Sequence, residues 1–121
     1  MFRYCNVNPR GRHVNDCTVR AISLATERTW DETYEELSKF AQAQAIMPDD
    51  VVYIDEYLMR RYPILCDCEG LNITVEDFVK KHPIGTYLIT MAGHITCSIN
   101  GVIYDTFDPS SRFIWEAYQV K

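Results

Sequence analysis

The hydrophobic pattern of the chain changes character once, near residue 84, and that change limits the folds open to it. Before it, apolar residues recur at helical intervals. After it they alternate, as in strands with one face buried. Tyr87, Ile89 and Met91 alternate, then Ile95, Cys97 and Ile99, and Asn100-Gly101 follows at once. Both residues of that pair tolerate the positive φ of a type I′ turn, so the chain is expected to fold back there as a β-hairpin. Val102 to Phe107 is the returning strand, and Arg112 to Tyr118 a last one with Phe113, Trp115 and Ala117 alternating. Helices first and strands after them predict an α+β domain with a C-terminal antiparallel sheet of about four strands.

The helical part divides at its own signals. Asn15 and Asp16 both suit an N-cap, so a first helix starts at Cys17; Val19, Ala21, Ile22, Leu24 and Ala25 make it apolar on nearly every side, hence buried. Thr29 and Glu32 stand at capping-box spacing before a second helix, whose inner stripe is Trp30, Tyr34, Leu37 and Ala41. Pro48 suits the first position of a third helix, which runs to about Arg61 and stops before Pro63. Thr74 caps a short fourth helix, Val75 to Lys81.

A chain of 121 residues with no repeat and no linker is one domain, 1–121. At this length roughly two-thirds of the unfolded surface can be buried, enough for a core. The formal net charge of −5 argues against nucleic acid as a partner, because phosphate binding leaves a basic footprint. Arg3, Arg10, Arg12 and His13 form a local exception, either a solvated arm or a basic rim beside a site. No apolar run is long enough to span a bilayer, and Met1-Phe2-Arg3-Tyr4-Cys5 does not read as a signal peptide. With an odd count of five cysteines, the expected setting is a reducing cytoplasm, bacterial or that of a phage-infected host. Cys66-Asp67-Cys68 lacks the second pair or the histidines of a zinc site, so both are expected to be ordinary thiols, with neither metal nor cofactor.

The residues that carry chemistry are few. Cys17 falls on the first turn of the most buried helix, where free backbone amides and the helix dipole favour a thiolate. His94, in Ala92-Gly93-His94-Ile95, stands at the mouth of a strand. His82 suits the C-terminus of the fourth helix, and His13 lies too near Cys17 in sequence to be its preferred partner. Tyr104-Asp105-Thr106-Phe107-Asp108 supplies two acids to orient an imidazole. If the Asn100-Gly101 turn pairs Ile99 with Val102, Asp105 shares a face with His94, their Cβ atoms on the order of 7 Å apart. A one-residue bulge would reverse that parity and favour Asp108. Arg20, one turn beyond Cys17 on an apolar helix, needs a partner and is expected to form a structural ion pair, with an acid of the second helix as one candidate.

Asn15-Asp16-Cys17-Thr18-Val19-Arg20-Ala21 followed by Gly93-His94 and Tyr104-Asp105-Thr106-Phe107-Asp108 resembles the papain-like cysteine peptidase superfamily, in particular its small bacterial and phage-type members. The likeness runs from about Asn15 to Trp115. It implies a papain-like fold, a thiolate–imidazolium pair and an acyl-enzyme hydrolysed by water, acting on a peptide, isopeptide or side-chain amide bond. The protein or peptide substrate needs no cofactor. Transglutaminases and deamidases use the same residues for acyl transfer, and an inactive papain-like fold would serve as a protein-binding module. Where papain-type enzymes carry an oxyanion-hole glutamine six residues before the cysteine, this chain has Gly11; Asn15 or Asn8 is the candidate donor in its place. One such donor is worth roughly 3 kcal/mol of barrier.

Overall fold

A computed structural model describes the backbone of residues 1–121 and every side chain except those of residues 51–53. The order of elements is β1 (Phe2–Tyr4), α1 (Cys17–Thr26), α2 (Trp30–Gln44), α3 (Val51–Arg61), β2 (Ile64–Asp67), α4 (Val75–Lys81), β3 (Thr86–Met91), β4 (His94–Ile99), β5 (Val102–Asp105) and β6 (Ile114–Gln119). The α+β class is as expected, with Cys17 opening a helix.

The sheet differs from the expected one. It has six strands in the order β1-β5-β4-β3-β6-β2, and it is mixed rather than antiparallel, because β1 runs parallel to β5. The two extra strands are short and lie at the edges. Local pattern could not announce them: each is held mainly by one neighbour far away in sequence, Phe2 opposite Ile103 and Asp67 opposite Glu116. Of the basic N-terminal stretch, Arg3 therefore belongs to the sheet, while Arg10, Arg12 and His13 are exposed, as a solvated segment would be.

The Asn100-Gly101 turn forms as its residues dictate, with φ of 48° and 79° and Ile99 facing Val102. Sheet register follows from it: Ser98 pairs with Ile103 and Cys97 with Tyr104. Ile95, Cys97, Leu88 and Tyr118 form a core with Val19, Ala21 and Ile22 of α1, Leu37 and Ala41 of α2, and Ile54, Tyr57 and Leu58 of α3. A second core joins Tyr87, Ile89, Ile103 and Ala117 to Val75, Phe78 and Val79 of α4. Both faces of β3 and β4 are covered, which is why all six residues of β3 are buried.

Three local expectations need correcting. Helix α3 starts at Val51 and not at Pro48, because the Asp50 amide closes a turn onto the Met47 carbonyl at 3.1 Å. The buried stripe of α2 is Thr33, Leu37 and Ala41; Tyr34 is 48% exposed and stacks on Trp30 with ring centroids 5.0 Å apart. In β6 the alternation is broken. Thr90 pairs with Glu116 but Met91 pairs with Ile114, so Trp115 is an extra residue in that ladder. The bulge shifts the parity, burying Ile114 and leaving Phe113 57% exposed.

Candidate functional site

The start of α1 sets the site. Asp16 occupies the N-cap position, yet it makes no side-chain capping bond. Its carboxylate is drawn elsewhere: Arg20 Nε donates to Oδ1 at 2.7 Å, while Trp30 Nε1 and Asn8 Nδ2 donate to Oδ2 at 3.0 and 3.1 Å. No side-chain cap covers the first-turn amides, so the positive end of the helix stays open beside Cys17.

Cys17 is half-buried and lines the same cleft as His94 and Ile95. Burial alone would push the thiol up. The nearness of the His94 imidazole, the Ile95 amide and the charge of Arg20 outweigh it and hold the thiol below its ordinary value. On the other side of the imidazole, Nε2 lies 2.7 Å from Asp105 Oδ2, leaving Nδ1 for the thiol. Desolvation would lower the imidazole, but the bonds to Asp105 and then Cys17 prevail and push it up to about 9. Burial would raise the Asp105 carboxyl; its bond to His94 is the largest of the effects that hold it low instead. Both shifts act in the direction that favours a thiolate beside an imidazolium.

Of the two candidate acids, Asp105 is the one at the imidazole, with a side chain 2% exposed. Asp108 is exposed and accepts bonds from the Ser110 amide and hydroxyl, closing its own turn. The register explains the choice, because the two-residue turn keeps its parity. Phe107 packs over the His94 ring at 4.6 Å between centroids and shields that side of it.

The oxyanion candidates separate as well. Asn8 Nδ2 is committed to Asp16, and its Oδ1 accepts from the Arg10 and Arg12 amides, so it shapes the loop before α1 and does not line the cleft at Cys17. Asn15 does line it, with Nδ2 donating to Asp49 at 3.3 Å. His13 is exposed in that loop, and His82 sits at the C-cap of α4 with Nδ1 at 3.0 Å from the Phe78 carbonyl.

No family model, curated protein or solved structure matches the chain.

The cleft holding Cys17 and His94 has a volume of about 200 Å³ and is walled by Asn15, Ile54, Asp55, Thr90 and Trp115. Trp115 could not be read as a site residue from alternation alone; only the bulge turns it into the cleft. A second hollow, of about 290 Å³, shares Asn15, Thr18 and Asp49 with the first and extends past Val19 to Trp30, Tyr34 and Met47. The two hollows therefore meet at residues of the start of α1. Beyond Thr90 the sheet carries Glu116 opposite Asp67, and burial together with Asp55, Asp67 and Glu69 pushes the Glu116 carboxyl up.

The other cysteines differ from Cys17. Burial raises the Cys5 thiol and pushes Cys97 up to about 12. Cys66 lies on β2 and Cys68 just after it, with their sulfurs in contact. Among the described residues, no helix is long and apolar enough to cross a membrane.

Proposed function

We propose that the protein is a thiol hydrolase with a papain-like arrangement, using Cys17 as nucleophile, His94 as general base and acid, and Asp105 as the group that orients the imidazole. The observation that supports this is the His94–Asp105 pair, closed at 2.7 Å, sharing a cleft with Cys17 at an uncapped helix start. A packing cysteine gains nothing from that setting, whereas a nucleophile needs it.

The reaction follows from the positions. The Cys17 thiolate adds to a carbonyl carbon, a C–S bond forms, and the carbonyl π pair moves to oxygen beside the open amides of α1, with Asn15 at the cleft edge as a further donor. His94 then passes its proton to the leaving amine as the C–N bond breaks. The same nitrogen takes a proton from water, which attacks the thioester and frees Cys17. Hollows on both sides of the helix start suit an extended polypeptide, so the substrate is a peptide, isopeptide or side-chain amide of a protein. The acidic wall formed by Asp49 and Asp55 disfavours an acidic residue beside the scissile carbonyl.

Iodoacetamide is the test. Near neutral pH, Cys17 should alkylate faster than Cys5 and Cys97 by at least about tenfold, since its thiol is held down while burial pushes the other two up. Equal rates at Cys17 and Cys5 would overturn the proposal and leave a protein-binding module as the better account.

A further inference from the structure

We propose that Arg20 is a positioning residue of this site: it locks the helix start that carries Cys17 to the carboxylate that orients His94, and holds Asp16 off the first-turn amides. The proposal rests on Cys17 and His94 acting as described above, and it assigns a role beyond the structural ion pair expected of a buried arginine. The expected partner on the second helix is not the one found. Arg20 instead spans α1 and β5, with Nε on Asp16 Oδ1 at 2.7 Å and Nη1 on Asp105 Oδ1 at 3.1 Å, at 8% exposure.

Both carboxylates flank the nucleophile. Asp16 precedes Cys17 in the chain, and an N-cap aspartate ordinarily turns its side chain onto the amides of the first turn. There it would place a negative charge against a thiolate and against any oxyanion forming beside it. Arg20 removes that hazard by taking Oδ1, while Trp30 and Asn8 hold Oδ2. At Asp105 the division of labour is equally clear. Arg20 and the Thr106 amide occupy Oδ1, so Oδ2 is left to His94. The guanidinium fork suits this task, since a planar group with donors in fixed directions can hold two carboxylates at a set angle and a lysine ammonium cannot.

The charged groups then alternate in sign from Asp16 through Arg20, Asp105 and His94 to Cys17. Cys5, just beyond β1, is the remaining titratable group that feels Arg20. Removing the arginine would leave two buried carboxylates near the thiolate with one cation fewer between them.

Alkylation of Cys17 by iodoacetamide, followed from pH 4 to 9, tests this in the intact protein. In Arg20→Gln the acidic limb of the profile should move up by about one pH unit, about tenfold slower near pH 6. Arg20→Lys should restore part of that shift. Asp16→Asn should move the limb the opposite way, because it removes a negative charge and leaves Arg20 in place. A purely structural Arg20 would lower the melting temperature and move no limb, and that result would overturn the proposal with the hydrolase assignment intact. Should Arg20→Gln fail to fold, Arg20→Lys and Asp16→Asn decide it: wild-type profiles in both would overturn it. Absence of preferential Cys17 alkylation in the wild-type protein would overturn both proposals together.

Discussion

Among the described residues, the N-caps of α1, α2 and α4 are defined, and these helices begin in two different ways. Thr29 and Glu32 close a reciprocal capping box at the start of α2, and Thr74 and Asp77 do the same for α4. Helix α1 has Asp16 at the equivalent position and leaves it unused as a cap. A side-chain cap contributes about 1 kcal/mol, so α1 forgoes stabilisation that its neighbours take. Under the proposed function, the difference marks where the chemistry is placed. The helix with free amides is also the one buried on most sides by α2 and the sheet, so tertiary packing can carry what the cap does not.

The largest expected effect comes from removing the sulfur. Cys17→Ala should abolish amide hydrolysis while the melting temperature stays within a few degrees of the parent, since alanine suits a helix. An unfolded variant, together with an inert thiol in the parent protein, would show that α1 is uncapped for packing reasons alone.

Next in size is the loss of the imidazole. In His94→Ala the thiol should return toward the ordinary value of about 8.5, and alkylation near pH 6 should fall by about two orders of magnitude. Asp105→Asn should slow hydrolysis strongly and Asp108→Asn hardly at all, because the latter carboxylate bonds only within its own turn. A loss confined to Asp108→Asn in measured kcat would reverse the assignment of the orienting acid.

Acid stability sharpens the comparison further. Asp16 and Asp105 are held below their ordinary values: burial would raise both, and the bonds from Arg20 to Asp16 and from His94 to Asp105 lead the effects that outweigh it. A depressed carboxyl contributes stability that is complete above the unfolded value near 3.8 and lost as pH falls through the folded one. Urea midpoints should therefore fall steeply below about pH 4, and less steeply in Asp16→Asn and Asp105→Asn. Equal acid limbs in all three proteins would remove the buried network as the cause.

The smallest effect belongs to the ordinary helix starts. Thr29→Ala and Thr74→Ala should each cost about 1 kcal/mol in denaturant melts and leave Cys17 alkylation untouched. If either changed the rate at Cys17, the separation between capped and reactive helix starts would break down.

The sequence by itself determined the features that depend on neighbours along the chain. The Thr29–Glu32 capping box, the Thr74 cap and the Asn100-Gly101 turn each specify a geometry within two to four residues, and all three form as expected, Asp77 completing the box at Thr74. The position of Cys17 at a helix start and the parity that brings Asp105 to His94 were legible for the same reason, the second because a two-residue turn transmits its register into the strands it joins. Tertiary structure alone decided the rest. Edge strands β1 and β2 exist only through partners remote in sequence, and Trp115 enters the cleft only because β6 bulges against β3. Asp16 was legible as an N-cap and wrongly so as a capping side chain, because Arg20, Trp30 and Asn8 compete for its oxygens once the fold has formed. A short-range preference worth about 1 kcal/mol gives way when a buried guanidinium, desolvated beside two carboxylates, must be paired.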